Sequence, residues 1–174
     1  MDLTFAQIVQ SPIGPLSFAA GDHGLRWVAF TELQDLKTIV NQTDDAPSLS
    51  GWQTLGTLLD EINAYLSGLR REFTIDIDWD GITGFQKQVL HITHGIPYGQ
   101  VLTYGAIAKQ LGKPGAARAV GTALARNPMP IVIPCHRVIG SDSGLHGFGG
   151  GLPVKEFLLT LEGHTIVKQK LVQP

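Results

Sequence analysis

The 174-residue chain has a single cysteine, Cys135. No internal disulfide can form, so the thiol is either a small buried hydrophobe or a chemical group. Long apolar runs are also lacking. Nothing approaches the roughly 20 residues needed to span a bilayer, and the opening MDLTFAQIVQ has neither the basic nor the extended apolar region of a signal peptide. The chain therefore reads as cytosolic, with no membrane partner. Metal ligands are sparse: one cysteine and the scattered histidines His23, His91, His94, His136, His146 and His164 give no standard zinc spacing. No metal and no cofactor is expected.

One absence is local. From Gly81 to Ser141 there is no acidic residue, while Lys87, Lys109, Lys113, Arg118, Arg126 and Arg137 fall in that stretch. The net charge of −2 hides a division, because residues 1–80 hold twelve acids and four bases and residues 81–174 hold three acids and nine bases. Such asymmetry suggests an anionic partner for the second half, although a solvated basic surface would give the same count.

With 43% hydrophobic residues, the chain has enough apolar side chain for one ordinary core and a small second lobe. LTFAQIV, PLSFAA and LRWVAF, separated by the turn signals Ser11–Gly14 and Gly21–Gly24, predict an antiparallel meander. Trp52, Leu55, Leu59, Ile62 and Leu66 recur at helical spacing before Gly68 and predict a helix with those residues in the core. Phe73–Asp78 alternates apolar with polar and suits one more strand. The expected fold is thus α/β (α+β): an N-terminal lobe over residues 1–80, then a mainly helical domain over 81–174.

In that second part, Thr83 and Gln86 have capping-box spacing ahead of a helix through His94. Thr103 caps a short helix to Leu111, Gly112–Gly115 breaks it, and Ala116–Arg126 resumes as an alanine-rich helix with Val120 and Leu124 on one side. Two short helices around a glycine-containing turn fit either a helix-turn-helix or an ordinary helical hairpin. Arg118 and Arg126 favour nucleic acid, and the small residues let the helix lie in a groove without reading base edges. Next, Ile131-Val-Ile133 ends in Pro134 and presents Cys135, with His136 and Arg137 adjacent as a base and a source of positive potential. A cysteine beside a histidine serves a peptidase equally well on chemistry alone.

Pro134-Cys-His-Arg137 resembles the active-site signature of the O6-alkylguanine-DNA alkyltransferases. The likeness runs from about Phe85 to Gly163 through Val101-Leu-Thr-Tyr-Gly105, Gly115–Gly121, Arg126-Asn-Pro128, Gly149-Gly-Gly151, Lys155-Glu-Phe-Leu-Leu159 and Glu162-Gly163. Ser11-Pro-Ile-Gly-Pro-Leu16 is similar to short bacterial-type members. This resemblance implies a ribonuclease H-like N-terminal lobe and a monomer acting on double-stranded DNA that contains O6-alkylguanine. O4 of thymine is left open as a second target. Cys135 would accept the alkyl group and be consumed, His136 would deprotonate it through a water, and Glu162 would orient the imidazole. Tyr104 would donate a proton to guanine N3, and Asn127 would tie the second helix to the cysteine loop. The implied guanine pocket uses Tyr104, Pro130, the Val138 carbonyl, Phe148 and Gly149. The implied minor-groove DNA face comprises Thr103, Ala117, Arg118, Ala119, Gly121, Arg126 and Arg137, with Arg118 as the finger that replaces the flipped base.

Three positions depart from the family pattern. Gly84 stands where proline is common, His91 lies near a usual tryptophan, and Gly149 replaces serine or alanine. Three rivals remain: a DNA-binding relative lacking the acceptor cysteine, a helix-turn-helix regulator and a cysteine peptidase. Cys135 itself weighs against the first, the donor-poor second helix against the next, and the basic helix pair against the peptidase.

Overall fold

Alternating apolar and polar residues at the N-terminus form β1 (Thr4–Ile8), β2 (Leu16–Gly21) and β3 (Gly24–Ala29), a three-stranded antiparallel sheet in the order β1-β2-β3. The computed structural model describes residues 3–41, 47–82 and 84–172. Central β2 is buried along its whole length. Its faces are covered by α1 (Leu33–Ile39), which the sequence reading did not anticipate, and by α2 (Leu49–Leu66). Leu3, Phe5, Ala19 and Leu36 make a small core under α1.

Helix α2 begins earlier than its apolar periodicity suggested, because the Ser48 hydroxyl accepts from the Gly51 amide and caps it. Its buried stripe is Leu55, Leu58, Ile62 and Tyr65, whereas Trp52 is 55% exposed. The expectation that Trp52 belongs to the core is corrected: the inward face at its turn is occupied by Gly51, whose missing Cβ admits the Thr4 side chain.

The expected strand at Phe73–Asp78 is reduced to a single parallel bridge, Leu25 to Ile77. Two backbone hydrogen bonds hold it, from Leu25 to Asp76 and from Asp78 to Leu25. The rest of the segment is tethered by side chains instead. The buried Glu61 carboxylate takes the Thr74 amide at 3.0 Å, the Thr74 hydroxyl at 2.5 Å and the Arg70 guanidinium. A carboxylate that captures a backbone amide removes it from any ladder.

The chain divides into two compact units, residues 1–79 and 80–174. The second contains α3 (Gly84–His94), β4 (Leu102–Thr103), α4 (Tyr104–Gln110), α5 (Ala117–Ala125), β5 (Val138–Ile139), α6 (Leu152–Leu161), β6 (Thr165–Val167) and β7 (Lys170–Val172). Thr83, one half of the expected capping box, lies outside the described residues. Its partner Gln86 donates to the Arg126 carbonyl at 2.9 Å, near the end of α5. Helix α5 packs on both α3 and α4, burying Val120, Ala123 and Leu124. Its alanines permit that close approach. Strands β4 and β5 pair in parallel, Leu102 with Val138 and Thr103 with Ile139. That two-residue ladder brings the start of α4 beside the cysteine segment. Among the described residues, no helix is long and apolar enough to cross a membrane.

Candidate functional site

Cys135 opens a 3₁₀ turn, Cys135–Arg137, after the buried run Ile131-Val-Ile133. The run is bent hard. Ile131 has φ of +75°, rare for a β-branched residue, and the Ile133 amide returns to the Met129 carbonyl at 2.8 Å. Asn127 holds the bend together. Its Nδ2 donates to the Ile133 carbonyl at 2.8 Å and to Cys135 Sγ at 3.2 Å, while its Oδ1 accepts from the Met129 amide at 3.0 Å. One side chain just beyond the C-terminus of α5 therefore fixes both the loop and the sulfur.

Behind the cysteine lies a buried charge cluster. His136 is fully buried and its Nε2 is 3.0 Å from Glu162 Oε1. Arg137, 6% exposed, embraces the same carboxylate through Nε at 2.9 Å and Nη2 at 2.8 Å, and its Nη1 donates to the Ile96 carbonyl at 2.5 Å. The Gly99 amide adds a bond to Glu162 Oε2 at 3.2 Å. Burial opposes the Glu162 charge, yet the bonds from His136 and Arg137 outweigh it and hold the carboxyl well below the usual carboxylate range. Burial pushes His136 below its ordinary value against the pull of Glu162, so the imidazole is neutral at neutral pH.

The expectation that Arg137 meets DNA is therefore corrected. Its guanidinium is consumed inside the protein, since a buried carboxylate needs a paired, hydrogen-bonded partner. It also does not lower the thiol pKa as its adjacency suggested. Burial pushes Cys135 upward, opposed first by the Asn127 hydrogen bond, then by the charge of Lys155 and a backbone hydrogen bond at Cys135 itself.

Lys155 belongs to the surroundings of Cys135 although its place in the sequence motifs does not mark it out. Its side chain is fully buried on α6, and Nζ donates to the carbonyls of Val138, at 2.6 Å, and Leu145. Burial lowers its pKa to about 8, with the nearby Cys135 pulling the other way. A signal was present: Lys155 stands in the same helical stripe as Leu152, Leu158 and Leu159, where a solvated lysine has no place.

Cys135 faces a cleft of about 910 Å³ whose walls include Tyr104, Ala117, Arg118, Gly121, Phe148 and Gly149. The structure thus gathers these separated residues around one sulfur. Phe148 stands edge-on to His136, with ring centroids 6.4 Å apart. Burial, then the charge of Cys135, raises the Tyr104 pKa and keeps its phenol protonated. Pro130 and Val138, expected as pocket residues, are buried: Pro130 bridges to Ile133, and the Val138 carbonyl accepts from Lys155. Arg118, Ala119 and Arg126 are exposed, and Thr103 is half-buried with its hydroxyl capping α4 through the Ala106 amide at 3.0 Å. His146 and Asp142, which no motif singled out, also line the cleft. No group of three or more metal-ligating side chains is placed to hold an ion among the described residues.

An arrangement of this kind offers a shielded sulfur nucleophile, a neutral buried imidazole oriented by a carboxylate, and a phenol able to donate a proton across an open cleft. Residues 5–79 match the ribonuclease-like domain of 6-O-methylguanine DNA methyltransferase, and residues 84–164 match the DNA binding domain of the same family. The methylated-DNA–protein-cysteine methyltransferase of Mycobacterium leprae is 45% identical over 163 residues, covering 91% of this chain and 92% of that protein. The Methanosarcina acetivorans protein of the same name is 41% identical over 158 residues, or 90% and 96% of the two chains. Among solved structures, Mycobacterium tuberculosis O6-methylguanine methyltransferase superposes with a TM-score of 0.78 at 40% identity over 92% of each chain. Mycobacterium tuberculosis OGT in complex with DNA gives 0.77 at 40% identity over 91% of each. Two matched domains and relatives alike over nine-tenths of their length establish that the chain belongs to the 6-O-methylguanine DNA methyltransferase family.

Proposed function

We propose that this protein repairs DNA by moving an alkyl group from O6 of guanine in a duplex to Sγ of Cys135. The observation that carries the reading is the placement of that sulfur: it faces the cleft, accepts from Asn127, and is followed directly by a neutral imidazole tied to Glu162. Because burial keeps Cys135 a thiol, a base must act during the reaction. His136 takes the proton through water, with Glu162 stabilising the imidazolium that results. The sulfur then attacks the alkyl carbon, the carbon–O6 bond breaks, and its electron pair stays on guanine, which receives a proton from Tyr104. A thioether remains on Cys135. Thioethers are poor leaving groups, so each molecule reacts once.

The target atom lies inside the base stack, so the nucleotide must be turned out into the cleft. Exposed Arg118 at the cleft edge fills the vacated place, and the small residues Ala117, Ala119 and Gly121 let α5 lie against the minor groove. Arg126 meets phosphate. In this reading residues 81–174 are the DNA-binding and catalytic domain and residues 1–80 a separate α/β lobe. The DNA complex of the Mycobacterium tuberculosis relative supports a nucleic-acid partner.

Mixing the purified protein with a duplex holding one O6-methylguanine tests the proposal by intact mass. One methylene should be gained on Cys135, with a plateau at one equivalent and no gain in Cys135→Ala. Repeated turnover, or binding of the duplex without any adduct, rules the mechanism out.

A further inference from the structure

A second histidine–carboxylate pair stands on the cleft, apart from His136 and Glu162. His146 Nε2 lies 3.1 Å from Asp142 Oδ1, and the His146 ring meets the Tyr104 ring edge-on, with centroids 6.2 Å apart and planes at 69°. The lip that carries this pair is shaped around it. His146 has φ of +51°, a left-handed conformation uncommon outside glycine. A Cβ at Gly140 would fall 2.2 Å from His146 Nε2 and 2.4 Å from Asp142 Oδ1, so only glycine leaves room for the pair. Asp142 is anchored in turn, since its Oδ1 accepts from the Gly144 amide at 3.1 Å and Lys170 Nζ lies 3.8 Å from its Oδ2. Backbone bonds then lock the loop, from Gly140 to Gly144 at 2.8 Å and from Leu171 to Ser143 at 2.9 Å. A strained residue, a glycine emptied for its side chain and an anchored carboxylate converge on one imidazole, and strain of this kind is retained where a site over-determines it.

We infer that His146, held by Asp142, is a positioning residue for Tyr104: its ring edge braces the phenol so that the hydroxyl points to the departing base. The inference rests on the reading of Tyr104 as proton donor to guanine. His146 itself touches no reacting atom in this scheme. Its effect passes entirely through the Tyr104 hydroxyl, which separates it from a residue that merely shapes the loop.

Single-turnover rates of alkyl transfer, measured at saturating duplex with O6-methylguanine, test this in a double-mutant cycle of His146→Gly and Tyr104→Phe. Glycine adopts φ of +51° without strain, so the loop should be retained. In the Tyr104 background, His146→Gly should slow transfer about 2- to 10-fold, the scale of one aromatic edge contact, with DNA affinity unchanged. In the Tyr104→Phe background it should change nothing, because no hydroxyl remains to be aimed. Equal slowing in both backgrounds, or an unchanged rate in the first, overturns the inference. A wild-type protein that gains no methylene overturns instead the reading on which it rests.

Discussion

Lys155 places an ammonium where water does not reach, in reach of two backbone carbonyls and within the electrostatic influence of Cys135. With its pKa near 8 it is mostly charged at pH 7, and that charge favours the thiolate it faces. Lys155→Met keeps the length and volume but removes charge and donors together. Each carbonyl left unpaired costs about 1–3 kcal/mol, so the urea midpoint should fall, and the pH midpoint of Cys135 labelling by iodoacetamide should move upward. Unchanged midpoints in both would mean that Lys155 is inert. Placement was legible in the sequence where neighbours along the chain stay neighbours in space, as for Cys135 and His136 in one 3₁₀ turn. It was misread where the partner comes from a distant element: Arg137 follows the histidine, yet its partner Glu162 arrives from the end of α6 and turns the guanidinium inward.

At the level of elements, what matters is how α5 is presented. Gln86 holds its C-terminal end, Asn127 just beyond it ties the chain to the cysteine loop, and Arg118 remains exposed near its start. A residue that acts only when a base leaves the stack should matter for duplex and not for a base already free. Arg118→Ala is therefore expected to slow repair of duplex O6-methylguanine at least about tenfold, the order of a few kcal/mol of unstacking cost. Its reaction with free O6-benzylguanine should be within about twofold of wild type, read as the rate of adduct formation by mass; equal slowing of both removes the finger role. Apolar periodicity made α2 readable in advance, the Thr103 cap and the Gly112–Gly115 break did so for α4, and alanine content did so for α5. Helix α1 was not, since Leu36 is the only one of its seven residues that is buried. The Phe73–Asp78 segment failed for the opposite reason: its alternation is that of a strand, but Glu61 takes the Thr74 amide that a ladder would need.

Across the whole molecule, the bases that the sequence concentrates in its second part divide on folding between exposed Arg118 on α5, with Arg126 just beyond it, and the buried cluster behind Cys135. That cluster links stability to pH. Burial holds His136 below its ordinary value of 6.5, and bonds from His136 and Arg137 hold Glu162 below its ordinary 4.5 despite burial. In both cases the unfolded chain binds a proton at a higher pH than the folded one. Below 6.5 the unfolded state therefore gains histidine protons that the native state refuses, and below 4.5 it gains a carboxyl proton as well, so each step lowers the free energy of unfolding as acid is added. The melting temperature measured by calorimetry should decline from pH 7 to 5 and more steeply below 4.5. His136→Gln should flatten the upper part of that decline, because an amide has no proton to take up. Because the folded chain keeps the His136 imidazole neutral below 6.5, the proposed proton transfer from Cys135 should persist on mild acidification and weaken only where acid charges the imidazole inside the folded site. A melting temperature that stays level or rises on acidification would show that the buried cluster is not held in the charge state its hydrogen bonds dictate.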